Sequence, residues 1–173
     1  MINVMVDLET LGVNGSPAIA AIGAVEFYPT SRSGGLGREF HQAVNLKSCT
    51  DIGMTIDAET VRWWMQQSNA ARDIFRSGGL PIRDVLRAFD HWLPTRDDVV
   101  IWGNGASEDN MWLTSAYRLM GLTPPWSFRE NRCFRTLREL NPDVQVEYTG
   151  TAHNALDDAK NQARHAIAIL GKK

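Results

Sequence analysis

Cysteine is scarce in this chain. Cys49 and Cys133 are the only two and neither has another cysteine near it, which excludes a zinc knuckle by spacing and fits two free thiols in a reducing compartment better than a disulfide framework. Long apolar runs are also missing. None approaches the ~20 residues needed to cross a bilayer, and residues 1–30 carry acids where a signal peptide would be basic and then apolar, so a cytoplasmic location without membrane partners is expected. The formal net charge is only −2, which argues against a protein that coats nucleic acid through a broadly basic surface. It leaves room for a local basic patch, or for an acidic pocket whose charge is reversed by bound metal. Repeats, linkers and low-complexity segments are absent as well. The 173 residues, 43% hydrophobic and 22% charged, therefore read as one globular domain over 1–173, long enough to bury a single core without staples.

The order of elements suggests a mixed sheet with helices on its faces. Residues 2–8 make a first strand and Gly12 to Pro17 a turn. Ala18 to Tyr28 is a long apolar run, Pro29 to Gly37 is dense in turn formers, and Arg38 to Leu46 alternates as a third strand, so these two runs predict an antiparallel hairpin. From Asp57 the period changes. Asp57 can cap a helix through Met65, and Ala70 to Phe75 adds a shorter helical piece before the Gly78-Gly79 break. Pro81 opens a helix in which Ile82, Val85, Leu86, Phe89 and Trp92-Leu93 form an amphipathic stripe. Val99 to Trp102 is a short strand, Ser107 can cap a helix from Glu108 to Met120, and Asn131 to Leu140 is expected to be helical. A last helix runs from near His153 to Gly171 with Ala155, Ala159, Ala163 and Ala166 on its buried side. Strands followed by mixed helix and strand predict an α/β fold.

Chemistry concentrates in acids. Asp7 and Glu9 sit two apart on the first strand and so project to the same side, where two carboxylates repel unless a divalent cation lies between them. Asp109 falls in the first turn of the helix after the Val99–Trp102 strand, at the carboxyl end where open α/β sheets place their sites; a dipole-complementing acid is the other reading. Asp157 and Asp158 are adjacent in the last helix and diverge by about 100°, so one of the two can face a given metal. His153 can share a site with Asp158 if it lies at or before the helix start. His41, His91 and His165 have no such cluster.

Together these residues resemble a known pattern. Asp7-Leu8-Glu9-Thr10, then Asp109 after a strand and glycine turn, then His153-Asn154-Ala155-Leu156-Asp157-Asp158, are similar to the DEDDh branch of the DnaQ-like 3'-5' exonucleases, and the H-x-A-x-x-D finish selects Asp158 over Asp157. Ala20 to Val25, Thr60 to Gln67, Trp102 to Ser107 and Arg135-Thr136-Leu137 narrow the likeness to the small RNase T-like exonucleases of bacteria and phages. The resemblance implies an RNase H-like mixed β-sheet flanked by α-helices. It departs at Glu108, where that group usually has an aromatic residue.

The activity so implied is metal-dependent hydrolysis at the 3' end of single-stranded RNA or DNA, RNA slightly favoured, releasing nucleoside 5'-monophosphates. Two Mg²⁺ or Mn²⁺ ions roughly 3.5–4 Å apart suit such chemistry and such oxygen ligands. By resemblance Asp7, Glu9, Asp109 and Asp158 would hold them, with Asp7 bridging, and His153 would accept the proton of the attacking water. Leu8 and the Thr10 backbone would press on the terminal nucleotide. Trp63, Trp64 and Trp112 are candidates for base stacking, with one of the adjacent pair in the core and the other toward the site. Arg129, Arg132, Arg135 and Arg138 recur every three residues, either as a phosphate-tracking face or as a solvated one. The resemblance is compatible with a homodimer. The competing readings are a non-catalytic nucleic-acid-binding domain that keeps the fold, and a phosphoesterase acting on small nucleotides.

Overall fold

A computed structural model describes residues 1–30, 35–94 and 98–171. Five strands form one sheet: β1 (Ile2–Thr10), β2 (Ile19–Tyr28), β3 (Gly35–Ala43), β4 (Val99–Gly103) and β5 (Asn131–Cys133), in the spatial order β3-β2-β1-β4-β5. β1 is the central strand, antiparallel to β2 and parallel to β4, and β4 is parallel to β5. The expected hairpin is present as β2 and β3. Of its expected turn at 29–37, residues 31–34 lie outside the described residues. β2 is buried from Ile19 to Phe27, which is why its sequence shows a continuous apolar run rather than alternation.

The alternation of β1 divides the core in two. Val4, Val6 and Leu8 face a layer built by α4 (Ile82–Trp92) and α5 (Asp109–Leu119), where Ile82, Val85, Leu86, Phe89, Leu113 and Tyr117 are buried. Met5 faces the other layer, with Val25, Phe27, Trp102 and Phe134 beneath the alanines of α7 (Ala155–Leu170). Ala159, Ala163 and Ala166 bury no long side chain, so α7 can lie close against the sheet. Gly23 permits the closest approach, because a Cβ there would stand 2.1 Å from the Ala155 carbonyl carbon.

Several local expectations hold and three change. Asp57 caps α2 (Ala58–Met65) by accepting from the Thr60 amide at 3.1 Å, and α3 (Asn69–Arg72) follows with a 3-10 turn over Asp73–Phe75. The third strand ends at Ala43, not Leu46, because the Asn45 side chain accepts from the Ser48 amide and starts a short helix, α1 (Leu46–Thr50). Residues 131–140 are not one helix. Asn131–Cys133 pairs with β4, and α6 covers only Phe134–Glu139; Asn131 Oδ1 accepts from Trp126 Nε1 and Asn110 Nδ2, which holds the segment at the sheet edge. Ser107 does not cap α5. The cap position is Glu108, and its carboxylate is turned to Arg135 instead.

Candidate active site

β4 runs out at Gly103, opposite Val6. Beyond that point the Leu8 amide donates to Asp109 Oδ1 at 3.2 Å, so the first residue of α5 completes the bonding of β1 just past the end of its neighbour. Gly103 leaves room for this start, since a Cβ there would lie 2.2 Å from Asn110 Oδ1 and 2.9 Å from Asp109 Cβ. On the other side Asp7 stands opposite Gly23, over which the first turn of α7 packs. That contact brings Asp158 down onto the pair from β1. Asp7, Glu9 and Asp158 each offer an oxygen within 4.8 Å of the other two.

The electrostatics follow from this crowding. Burial, then the charges of Asp109, Glu9 and Asp158, hold the Asp7 carboxyl well above the usual range, while Gln162 Nε2 donating to its Oδ1 at 2.7 Å works against the rise. Burial and then the charges of Asp158 and Asp109 push Glu9 up to about 8. Asp109 rises to about 7 through burial, opposed by the Leu8 and Asn104 amides. Asp158 is also raised by burial, against hydrogen bonds from the Tyr148 hydroxyl to Oδ1 (2.9 Å) and from the His153 amide to Oδ2 (2.8 Å). Glu9 is 6% exposed and its Oε1 has no hydrogen-bond partner. Ionised carboxylates accept and never donate, so buried acids sharing one spot are poor company for each other and good ligands for a hard divalent cation. Asp7, Glu9 and Asp158 fit such an ion. Asp109 stands beside them, close enough to repel Asp7 and Glu9, but tied to the backbone of β1.

His153 lies two residues ahead of α7, with a left-handed backbone (φ 62°) that turns its amide onto Asp158. Its ring meets Trp63 edge-on with centroids 4.9 Å apart, and Trp64 at 6.3 Å. Asn154 caps the helix through the Asp157 amide, and Asp157 Oδ2 accepts from Thr151, away from the trio. A cleft of about 480 Å³ opens beside Glu9, lined by Leu8, Thr10, Trp63, Trp64 and Trp112. Of the adjacent tryptophans, Trp64 is the core one, 4% exposed, with its Nε1 donating to the Thr10 carbonyl at 2.9 Å; Trp63 is 41% exposed and forms the open wall.

The four arginines do not form one face. Arg129 sits in a 3-10 turn over Phe128, Arg132 is on β5 near Glu130, and only Arg135 and Arg138 share α6. Arg135 is held by Glu108 at 2.5 and 3.1 Å and donates to the Asn104 carbonyl at 2.7 Å. An ion pair therefore stands where the resemblance led one to expect an aromatic side chain. Gln162 and Tyr148 touch the acids and were not foreseen. Gln162 lies one helical turn past Asp158, a spacing that could have pointed to it; Tyr148 arrives on an irregular loop that carries no such signal.

With this geometry in hand, residues 2–170 match the family described as the 3'-5' exoribonuclease Rv2179c-like domain. The chain belongs to that family. It is a 3'-5' exonuclease hydrolase of the DnaQ-like superfamily. No curated protein matches it significantly. Among solved structures it resembles the nuclease domain of 3'hExo, described as a DEDDh family member bound to rAMP, at 18% identity and TM-score 0.67, covering 99% of this chain and 92% of that one. A 3'-exonuclease solved for 3'-end specific recognition of histone mRNA stem-loop matches at 17% identity and TM-score 0.68, covering 99% and 82%. S. pombe Pop2p in its Mg²⁺ and Mn²⁺ bound form matches at 15% identity and TM-score 0.61, covering 95% and 81%. At these identities the likeness is one of fold: a mixed sheet flanked by helices, RNase H-like.

Proposed function

We propose that the protein removes nucleoside 5'-monophosphates one at a time from the 3' end of single-stranded RNA, as a DEDDh enzyme close to the RNase T-like group. The observation that carries this is the trio Asp7, Glu9 and Asp158 meeting within 4.8 Å, with a buried Glu9 oxygen left unpartnered, at the edge of a tryptophan-lined cleft. The exoribonuclease description of the family favours RNA over DNA, as do the rAMP and histone mRNA of the similar structures.

On this reading Asp7, Glu9 and Asp158 ligate Mg²⁺ or Mn²⁺, the ions found in Pop2p, with Asp109 supporting a second ion. When bound, such ions supply hydroxide at neutral pH and offset the charge that gathers on the phosphate and the leaving oxygen. The chain's own residues do the rest. Leu8, the Thr10 backbone and Trp63 hold the terminal nucleoside in the cleft, with Trp64 as its rear wall. His153, kept at the cleft edge by Trp63 and by its amide bond to Asp158, accepts the proton of the attacking water, and the upstream 3' oxygen leaves as a hydroxyl. Arg135, oriented by Glu108, faces the approaching backbone.

The test is degradation of 5'-labelled single-stranded RNA and DNA of one sequence, with Mg²⁺ or Mn²⁺ against chelator. A metal-dependent ladder shortening from the 3' end, faster on RNA and reduced severely in His153→Ala with binding intact, is the expected result. Equal rates on both sugars would remove the RNA preference, and full activity in His153→Ala would remove its role as base. Binding without cleavage of either strand would return the chain to the non-catalytic reading.

A further inference from the structure

The acids border a second cavity. Glu9 lines the tryptophan cleft, whereas Asp158 and Gln162 line a separate hollow of about 250 Å³ between α6, α7 and the loop before His153, walled by Asn104, Phe134, Arg138 and Tyr148. Its floor runs along α7 from Asp158 through Gln162, away from His153. Three features set it apart from an ordinary surface dent. Gln162 is 8% exposed, and while its Nε2 is committed to Asp7, its Oε1 has no partner. The Tyr148 hydroxyl reaches across the rim to Asp158. The Arg138 guanidinium lies 5.8 Å from the centroid of the Phe134 ring, an exposed cation set over an aromatic floor.

From this arrangement we infer that the second cavity is the subsite for the nucleotide on the 5' side of the bond being cut. The inference rests on the exonuclease reading above. A phosphodiester seated on the trio must send one nucleoside to each side. In a displacement with attacking and leaving oxygens roughly in line, a water served by His153 from the tryptophan side expels the leaving 3' oxygen on the opposite side. The nucleoside that carries that oxygen then enters the hollow. Arg138 meets its 5' phosphate, and the hollow's mix of aromatic and polar walls suits a sugar and base without reading sequence.

Two substrates separate the subsites. A p-nitrophenyl ester of a nucleoside 5'-monophosphate, and product inhibition by AMP, engage only the tryptophan cleft; a short RNA engages both cavities. The variants are Arg138→Glu, on an exposed position, and Val146→Trp, which fills the hollow from its outer loop. For both variants the RNA kcat/KM is expected to fall about tenfold while ester turnover and AMP inhibition stay within twofold of wild type, and Arg138→Ala should flatten the salt dependence of KM for RNA by about 0.7 in log–log slope. RNA cleavage unchanged in both variants overturns the assignment, and so does an equal loss on RNA and in AMP inhibition, which would mark a structural role. A wild type that cleaves no RNA in metal sinks the exonuclease reading itself, and the subsite with it.

Discussion

The two halves of β1 lie in one packed layer and act on stability in opposite directions. Val4, Met5 and Val6 are sealed between the helical layers, and burial of such side chains stabilises the fold at about 25 cal/mol per Å² of apolar surface. Asp7 and Glu9, immediately after them, are held in the same strand among neighbours of like charge, so the same burial raises their carboxyls and leaves a Glu9 oxygen without a partner. The first half is finished by packing. The second is finished only by a ligand, and the glycines opposite Val6 and Asp7 keep α5 and α7 too close for the acids to spread apart. Scaffold and site are thus separated by one residue along the chain, and experiments can treat them separately.

The largest expected effect comes from breaking the second half. Asp7→Asn keeps the acceptor for Gln162 and removes the charge, so RNA turnover in Mg²⁺ should fall by several orders of magnitude while the metal-free protein unfolds at the same or a higher temperature. A clear drop in that temperature would mean that Asp7 serves the fold. Breaking the first half should do the reverse. Met5→Ala empties a fully buried site and should cost about 2–5 kcal/mol in urea unfolding, equally with and without metal. A loss confined to the metal-free protein would show the halves to be coupled.

A smaller change tests the contact between Gln162 and Asp7. Gln162→Leu keeps the helix and the bulk but frees Asp7 Oδ1, and on the proposed reading the Mn²⁺ concentration for half-maximal rate should rise about 10–100-fold, with little change in the rate at saturation. Metal affinity unchanged, with the rate at saturation reduced, would instead put Gln162 beside the substrate.

The same contrast governs what could be read from sequence. The scaffold was legible wherever periodicity carried it: the stripe of α4, the alanine face of α7 and the β2–β3 hairpin all appear. Asp7 and Glu9 sharing a side followed from strand alternation, and the choice of Asp158 over Asp157 came from the motif; the structure brings these three together and turns Asp157 to Thr151. What failed was short or depended on distant partners. Three residues of β5 are too few for a period, and Asn131 is held there by Trp126 and Asn110 rather than by its neighbours in sequence. The arginine spacing suggested a face only because 131–140 was taken as a single helix. Glu108 was noticed as a departure, but its pairing with Arg135, 27 positions on, is a product of the tertiary fold.

The mildest expected effect is also the most direct on the comparison, because it uses no substitution. Glu9 titrates near 8 and Asp109 near 7 in the folded chain, against 4.5 and 3.8 as ordinary carboxyls. Between those limits the folded protein holds protons that the unfolded chain has released, so stability falls as pH rises. The contribution is fully favourable below about pH 4 and is lost as pH climbs through the folded values. In chelator the unfolding temperature should therefore decline by several degrees from about pH 5 to about pH 8. Divalent metal binds the deprotonated acids, so its stabilisation should grow over the same range and flatten the decline. Met5→Ala should lower both curves without changing their shape, since its site carries no charge. Asp7→Asn should flatten the metal-free curve, because one of the charges that raises Glu9 and is raised with it has gone. A metal-free curve that is flat in the wild type would mean that the acids relax apart in solution, and the opposition between the two halves of β1 would disappear with it.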